Sequence, residues 1–276
     1  MIQTNDGFSL YNVAEVRFFL SKINLGDDVY IISDNVWDNA KRELLNTFRY
    51  STKLEICQNI IRDFEAVNPK KKYRSDLEVF VRESKLEDFF NENGDTIFVS
   101  TIHKAKGKEF DNVFLLLENY NPATDDAKRQ LYVAMTRAKR DLTIHLNANY
   151  LDYFSVENLE RIEDFGIYAP PDKIAMHLTL KDIWLDYFID KQYLISQLLC
   201  GEPLIVNGNE CLNSKGQPIL KFSRQFIEKI KHMKMKHYKL ESAKVNFVLY
   251  WLKEGTEQEI KIILPELYFE TVGLHT

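Results

Sequence analysis

The first half of the chain alternates short apolar runs with longer amphipathic stretches, and no other feature restricts the possible folds as strongly. Four runs have the length and the β-branched or aromatic content of buried strands: residues 29–32, 96–100, 113–117 and 142–146. Amphipathic stretches with helical periodicity lie between them. Strands that alternate with helices favour a mostly parallel sheet covered on both faces, so we predict an α/β domain at residues 1–150.

The sequence changes character after residue 150. Residues 151–175 are mixed in composition and contain two consecutive prolines, which favours a linker. Further on, residues 245–251 and 260–264 alternate strictly between apolar side chains and others, with a glycine-containing turn between them. Two alternating runs around such a turn are typical of an antiparallel hairpin, in which Trp251 is most simply a core residue. We therefore predict a separate α+β domain at residues 176–276.

Composition and charge exclude several classes of protein. The net charge of −5 argues against a uniformly basic nucleic-acid coat, but it is compatible with a local basic groove. Cys57, Cys200 and Cys211 are far apart and include no Cys-x-x-Cys pair, so neither a disulfide framework nor a metal site is predicted. No apolar run approaches the roughly 20 residues that cross a bilayer, and residues 1–6 lack the regions of a signal peptide. We expect a cytoplasmic protein without a membrane partner.

A polar loop with several charged residues follows the predicted strand at 96–100. Residues 99–110 have the sequence Val-Ser-Thr-Ile-His-Lys-Ala-Lys-Gly-Lys-Glu-Phe. Ligands of α/β sheets bind beyond the carboxyl ends of the strands, and this loop is predicted to lie there. Gly107 has no Cβ and would allow the backbone to approach a ligand closely.

A second segment places one arginine among small residues. Residues 131–140 have the sequence Leu-Tyr-Val-Ala-Met-Thr-Arg-Ala-Lys-Arg. Leu131, Ala134 and Ala138 share one helical face, so the helix can pack closely while Arg137 projects from it. Arginine suits a triphosphate because its planar guanidinium makes paired hydrogen bonds and keeps its charge.

These two segments resemble motifs V and VI of superfamily 1 helicases of the UvrD, PcrA and Rep type. The first matches Thr-x-His-x-x-Lys-Gly-x-Glu-Phe, and the second matches Tyr-Val-Ala-x-Thr-Arg-Ala. Their order, their spacing and the strands around them also fit, and the resemblance covers about residues 95–147. It implies that residues 1–150 form the RecA-like second motor domain of a DNA helicase, followed by an accessory α+β domain.

The resemblance also implies roles for individual residues. Thr101 and His103 would contact single-stranded DNA, through a phosphate or by stacking against a base. Gly107 and Glu109 would bind ATP, with Glu109 near the ribose, and Arg137 would reach the γ-phosphate as an arginine finger. The implied cofactor is ATP with Mg²⁺. The implied partners are unwinding DNA, a first RecA-like motor domain in cis or in trans and, for the C-terminal domain, another protein.

Two departures and one absence distinguish the chain from a complete motor. Lys108 stands where the family usually has leucine, and Asp126-Ala127 stands where it usually has an acidic pair. The sequence contains no Gly-x-x-x-x-Gly-Lys-Ser/Thr phosphate loop, and no Asp-Glu pair for magnesium follows an apolar strand. We therefore expect that this chain alone hydrolyses no ATP.

Two other functions stay open. The chain could be a non-catalytic module, derived from a helicase domain and kept for binding DNA or protein. It could also be the motor part of a helicase–nuclease. The sequence has no convincing cluster of acidic metal ligands with a nearby lysine, so a nuclease centre would lie elsewhere.

Four local patterns also have an ordinary structural explanation. His103 could be a core or surface histidine, and Arg137 could be a solvated charge. Lys72-Tyr73-Arg74-Ser75 resembles motif IV, but its short distance from the first motif favours a solvated helix start. The basic run from Lys229 to Lys239 lies opposite an apolar face, which favours a solvated face over a nucleic-acid patch.

Overall fold

The chain forms two compact units. The computed structural model describes residues 2–3, 8–23, 30–85, 97–99, 101–102, 105 and 107–272. The insert unit consists of Met1–Thr4 and Asn93–Ala169, and the main unit consists of Asn5–Glu92 and Pro170–Thr276. The division into residues 1–150, 151–175 and 176–276 follows other boundaries and stays a prediction.

Helices and strands occur in both units. The helices are α1 (Ala14–Lys22), α2 (Asp34–Phe48), α3 (Leu54–Val67), α4 (Arg74–Glu83), α5 (Asp125–Met135), α6 (Gln192–Ile195) and α7 (Arg224–Met235). The strands are β1 (Ile2–Gln3), β2 (Ile31–Ile32), β3 (Lys72–Tyr73), β4 (Ile97–Phe98), β5 (Phe110–Leu117), β6 (Ala138–Leu146), β7 (Lys173–His177), β8 (Pro203–Asn207), β9 (Glu210–Leu212), β10 (Pro218–Lys221), β11 (Tyr238–Leu252) and β12 (Glu259–Thr271). None of the described helices is long and apolar enough to cross a membrane.

Parallel strand pairs and one crossover helix make up the regular structure described in the insert unit. β1 pairs with β4, and β5 pairs with β6. α5 connects β5 to β6 and packs on β5 through a face that includes the buried Leu131 and Ala134. The hydroxyl of Thr124 accepts a hydrogen bond of 3.2 Å from the backbone nitrogen of Ala127, which fixes the start of the helix. The strand–helix–strand order predicted for this segment is confirmed.

One face of the β5–β6 pair is open. Phe114 and Leu116 are 65% and 77% exposed, and the Phe114 ring stacks on exposed His145 with centroids 6.5 Å apart. Successive side chains of a strand point to opposite faces, so these residues mark one uncovered side of the pair. The prediction of strands buried on both faces is therefore wrong for β5, as far as the described residues show. Its continuous apolar run suits a covered strand, but a two-stranded sheet with one helix on it leaves a face exposed.

The main unit contains a six-stranded sheet in the order β10-β9-β8-β11-β12-β7, with every neighbouring pair antiparallel. β11 and β12 form its centre, a long hairpin paired from Tyr238 with Thr271 to Leu252 with Glu259. The predicted hairpin is thus confirmed, and it is longer than the alternating runs suggested. α7 packs against β11 and buries Phe226.

The N-terminal helices share one hydrophobic core with this sheet. Trp37 and Phe64 lie in that core with ring centroids 5.8 Å apart. Val13, just before α1, forms a β-bridge with Leu249 of β11. Arg17 of α1 donates two hydrogen bonds, of 3.1 and 2.6 Å, to the carboxylate of Glu259. The chain is a mixed α/β protein that contains both parallel strand pairs and antiparallel sheets.

Candidate nucleotide and nucleic-acid site

The loop between β4 and β5 carries the first predicted motif. Thr101 is exposed at its beginning, and its carbonyl accepts a hydrogen bond of 3.2 Å from the nitrogen of Ala105. The nitrogen of Lys108 then donates to the Ala105 carbonyl at 3.1 Å, so the loop contains two successive turns. His103, the other predicted DNA contact, lies outside the described residues.

Gly107 has a backbone conformation that favours glycine. Its φ of 85° falls in the left-handed region, where a side chain is unfavourable. Among the described residues, no atom lies within 4 Å of a Cβ added at this position. The glycine is therefore required by the backbone conformation and not by crowding. The free space beside it is what a ligand needs in order to approach the main chain.

Arg137 connects the two motifs. Its Nε donates to the carbonyl of Val133 at 2.9 Å, and its Nη1 donates to the carbonyl of Lys108 at 3.1 Å. A third bond of 3.2 Å runs from Nη2 to the hydroxyl of Thr136. The half-buried side chain therefore caps the end of α5 and holds the loop that precedes β5. All three acceptors are neutral, so these bonds hold the guanidinium in place without cancelling its charge.

Glu109 lies between the loop and β5 with its carboxylate exposed. Its Oε2 is 3.9 Å from Nζ of Lys139, and such an exposed ion pair contributes little to stability. The next residue, Phe110, donates its backbone N–H to the carbonyl of Arg137 at 2.9 Å. The structure thus brings Gly107, Glu109 and Arg137 into one small region of the insert unit.

Comparison with known proteins now identifies this region. Residues 24–149 match the family model described as the UvrD-like helicase C-terminal domain. Residues 24–149, a little under half of the chain, are thus similar to a UvrD-like helicase C-terminal domain. The match includes both motif segments, and the family resemblance inferred from them is confirmed.

Two curated relatives share part of this chain. Gabija protein GajB from Bacillus cereus (strain VD045) is 27% identical over 151 residues, which cover 54% of this chain and 29% of the relative. RecBCD enzyme subunit RecB from Chlamydia pneumoniae is 26% identical in an alignment of 151 positions, and the match covers 37% of this chain and 14% of the relative. The chain thus spans less than a third of the length of either protein. No solved structure matches it significantly.

One departure from the family motif lies at the start of α5. Asp125 and Asp126 open this helix, where carboxylates interact favourably with the helix dipole. Each is close to a basic residue three positions later, Asp125 to Lys128 at 3.7 Å and Asp126 to Arg129 at 3.5 Å. Ala127, which stands where the family usually has the second acid, is half-buried, and its carbonyl accepts a hydrogen bond of 2.5 Å from the hydroxyl of Tyr120.

The segment that resembles motif IV lies at the start of α4, in the main unit. Arg74 is the first residue of that helix, and its Nε is 3.2 Å from Oε1 of Glu78, one turn later. Its backbone nitrogen donates to the carbonyl of Tyr30 at 3.1 Å. The predicted helix start is confirmed, and these contacts of Arg74 are typical of the first residue of a helix.

No sequence pattern indicated that Lys108 has a structural part in the site. Its contribution to Arg137 is a backbone oxygen, which any residue type supplies. Only the spacing of the two motifs pointed to their proximity, through the parallel pairing of β5 and β6.

Proposed function

We propose that this chain supplies the second motor domain of an ATP-driven DNA helicase or translocase, with Arg137 as its arginine finger. In this proposal β5 and β6 belong to a RecA-like sheet, and α5 is a helix that packs on it. Thr101 and His103 form part of the single-stranded DNA track. The first RecA-like motor domain, in cis or in trans, holds the phosphates and the magnesium ion.

The hydrogen bonds of Arg137 carry the proposal. An arginine finger has to present a permanent charge at a fixed place. Its guanidinium is held by the carbonyls of Val133 and Lys108, and both bonds are neutral. A γ-phosphate can therefore attract the charge without first displacing a carboxylate from these bonds. Because Lys108 belongs to the loop with Gly107 and Glu109, a nucleotide at that loop also affects the arginine.

The residues of the insert unit fit one half of a nucleotide site. Open space lies beside Gly107, and the exposed carboxylate of Glu109 can accept hydrogen bonds from a ribose. ATP with Mg²⁺ would supply the free energy for movement when bound between two motor domains. This chain would orient the sugar, place the Arg137 charge and transmit closure to the DNA contact at Thr101.

The first experiment establishes the polypeptide to be tested. An antibody against the main unit, used on lysates of the source cells, gives the mass of the native protein. A band far above 32.5 kDa places the first motor domain in the same chain. A band at 32.5 kDa requires the missing domain to come from a partner subunit, which is then added to the assay.

The second experiment measures ATP hydrolysis by that intact protein or complex, with and without single-stranded DNA. Arg137→Ala should lower the DNA-stimulated rate by about 10³-fold or more, because the transition-state charge loses its partner. Arg140→Ala is the matched control, since Arg140 is exposed and lies only at the limit of an ion pair with Asp111, at 4.0 Å. Undiminished hydrolysis by Arg137→Ala would reject the arginine finger and favour the non-catalytic module.

A further inference from the structure

A cavity lies in the main unit, and its lining residues are distant in sequence from the motif residues. The cavity has a volume of about 680 Å³, and its lining includes Trp184, Trp251, Phe222, Arg224 and Lys253. This volume is within the range of small-molecule sites, roughly 300–1,000 Å³. Two tryptophans and two basic residues line the same cavity, so aromatic and basic side chains can contact different parts of one ligand.

Trp184 is exposed although its backbone is firmly held. The side chain is 52% exposed, so it contributes less to the core than a buried indole. Its backbone nitrogen donates to the carbonyl of Lys221 at 2.9 Å, and the preceding Ile183 forms a β-bridge with Phe222. A large flat surface is thus presented from a fixed position, which suits stacking against a planar ligand.

Positive charges lie close to this aromatic surface, although the cavity lining also contains the carboxylates of Asp186 and Glu254. The ammonium of Lys221 is 5.9 Å from the ring centre of Trp184 and 5.0 Å from that of Tyr187. Arg224 is exposed at the start of α7. Lys253 pairs with Asp186 at 2.8 Å and so offsets an acidic residue of the cavity wall.

The basic face of α7 extends the charge beyond the cavity. Lys231, Lys234 and Lys236 are exposed at or near the end of the helix that Arg224 begins. Lys231 pairs with Glu228 at 2.7 Å, and both side chains are exposed. Lys229 instead pairs with the buried Asp182 at 2.7 Å and so stabilises the fold. A chain of phosphates whose bases enter the cavity would meet positive charge along this helix.

We propose that this cavity binds single-stranded nucleic acid, with a base stacked on Trp184 and the neighbouring phosphates near Arg224 and α7. Stacking on an aromatic side chain tolerates any base, since every base has a π face. The contact would be separate from the motif loop and independent of ATP. It assigns a ligand to the C-terminal part of the chain, which the family match does not cover.

Intrinsic tryptophan fluorescence tests the proposal in the full 276-residue chain. The three tryptophans, Trp37, Trp184 and Trp251, all belong to the main unit, and Trp37 is only 1% exposed. Stacking of an unlabelled oligothymidylate of about 16 nucleotides should therefore quench the fluorescence of the cavity tryptophans. Trp184→Ala should lower the affinity about tenfold in fluorescence anisotropy with a labelled strand, and Trp184→Phe should retain most of it.

Matched variants separate this site from other sources of binding. Tyr193→Ala removes an aromatic residue that is 78% exposed but does not line the cavity, and it should bind like the wild type. Arg224→Gln should weaken binding more than Lys215→Gln, an equal loss of charge at an exposed turn.

Several results would overturn the proposal. Unquenched fluorescence at saturating oligothymidylate would reject stacking in the cavity. Equal affinities of the wild type and Trp184→Ala, with equal melting temperatures, would reject it as well. A quench by an aromatic-rich peptide and none by the oligonucleotide would assign the cavity to a protein partner. None of these results bears on Arg137, so the proposed motor function stands or falls separately.

Discussion

The guanidinium of Arg137 donates a hydrogen bond to the backbone oxygen of Lys108, 29 positions earlier in the chain. The same side chain holds the carbonyl of Val133, one turn back in α5. One arginine therefore ties the end of a helix to the loop before β5. A ligand that attracts this guanidinium has to share or break these bonds, so the order of the loop and the position of the charge depend on each other.

Arg137→Ala should loosen the loop even when no nucleotide is bound. The substitution removes the hydrogen bonds from the guanidinium to the carbonyls of Val133 and Lys108, at a cost of about 1–2 kcal/mol. We expect faster amide hydrogen exchange at residues 108–110, measured by mass spectrometry on the isolated chain. Arg140→Ala, three residues later in β6, should exchange like the wild type. Equal exchange in both variants would contradict the tie between α5 and the loop.

Gly107→Ala should destabilise the insert unit through its backbone alone. The φ of 85° disfavours a side chain, whereas the space around the position is open. The expected loss is about 1 kcal/mol, read from thermal unfolding. Gly107→Asn should lose less than Gly107→Val, because asparagine tolerates the left-handed region better than a β-branched residue does. Equal losses for these two variants would show that the loop does not hold this conformation in solution.

Gly201→Ala should destabilise the main unit through a specific collision. Gly201 has a φ of 98°, and a Cβ there would lie 2.5 Å from the Cγ2 atom of Thr52. Strain and overpacking together suggest a loss of about 2–4 kcal/mol in the free energy of unfolding, measured in urea. Thr52→Ser removes that methyl group, so the double variant should recover part of the loss. Strict additivity of the two single changes would argue against the collision.

Glu266 should make the stability of the main unit depend on pH in the acid range. Burial by itself would raise the pKa of Glu266, but hydrogen bonds from His177, Lys244 and Tyr268 outweigh burial and hold that pKa at about 2. The ordinary value is 4.5, so the stabilisation is complete above about pH 4.5 and disappears as the pH falls towards 2. A difference of this size corresponds to about 3 kcal/mol.

Urea unfolding at several pH values between 5 and 2 checks this expectation. Glu266→Gln should be less stable than the wild type at pH 5, and its stability should fall less steeply as acid is added. Glu270→Gln is the control, because Glu270 pairs with Lys173 at the exposed end of the same strand. Parallel pH profiles for the wild type and Glu266→Gln would show that this carboxylate contributes no acid sensitivity.

Local patterns predicted local structure well. The strand, helix and strand of β5, α5 and β6 were evident because each run has a clear periodicity. The helical face predicted for Ala138 is wrong, because α5 ends at Met135 and Ala138 begins β6. The β11–β12 hairpin followed from strict alternation on both sides of a glycine turn. Phe114 was misjudged, since an apolar residue in a strand does not reveal whether anything covers that face.

Relationships between distant segments were beyond the sequence. No pattern indicated that residues 5–92 and 170–276 belong to one unit, because their contacts are made by ordinary apolar side chains. The exposure of Trp184 was hidden for the same reason. An indole in a sequence is most simply a core residue, and only its position beside Lys221 and the cavity distinguishes it.

The core of the main unit joins segments that are far apart in the chain, and this has a consequence for biosynthesis. Arg17 is paired with Glu259, 242 residues later. Translation proceeds at about 5–20 residues per second, so about 10–50 s pass between the synthesis of α1 and that of its partner strands. The face of α1 that packs on β11 has no native partner during that interval, although α2 and α3 already cover another part of the helix. The nascent helices α1 to α4 are therefore the part of the main unit that chaperones should engage before β11 and β12 are made.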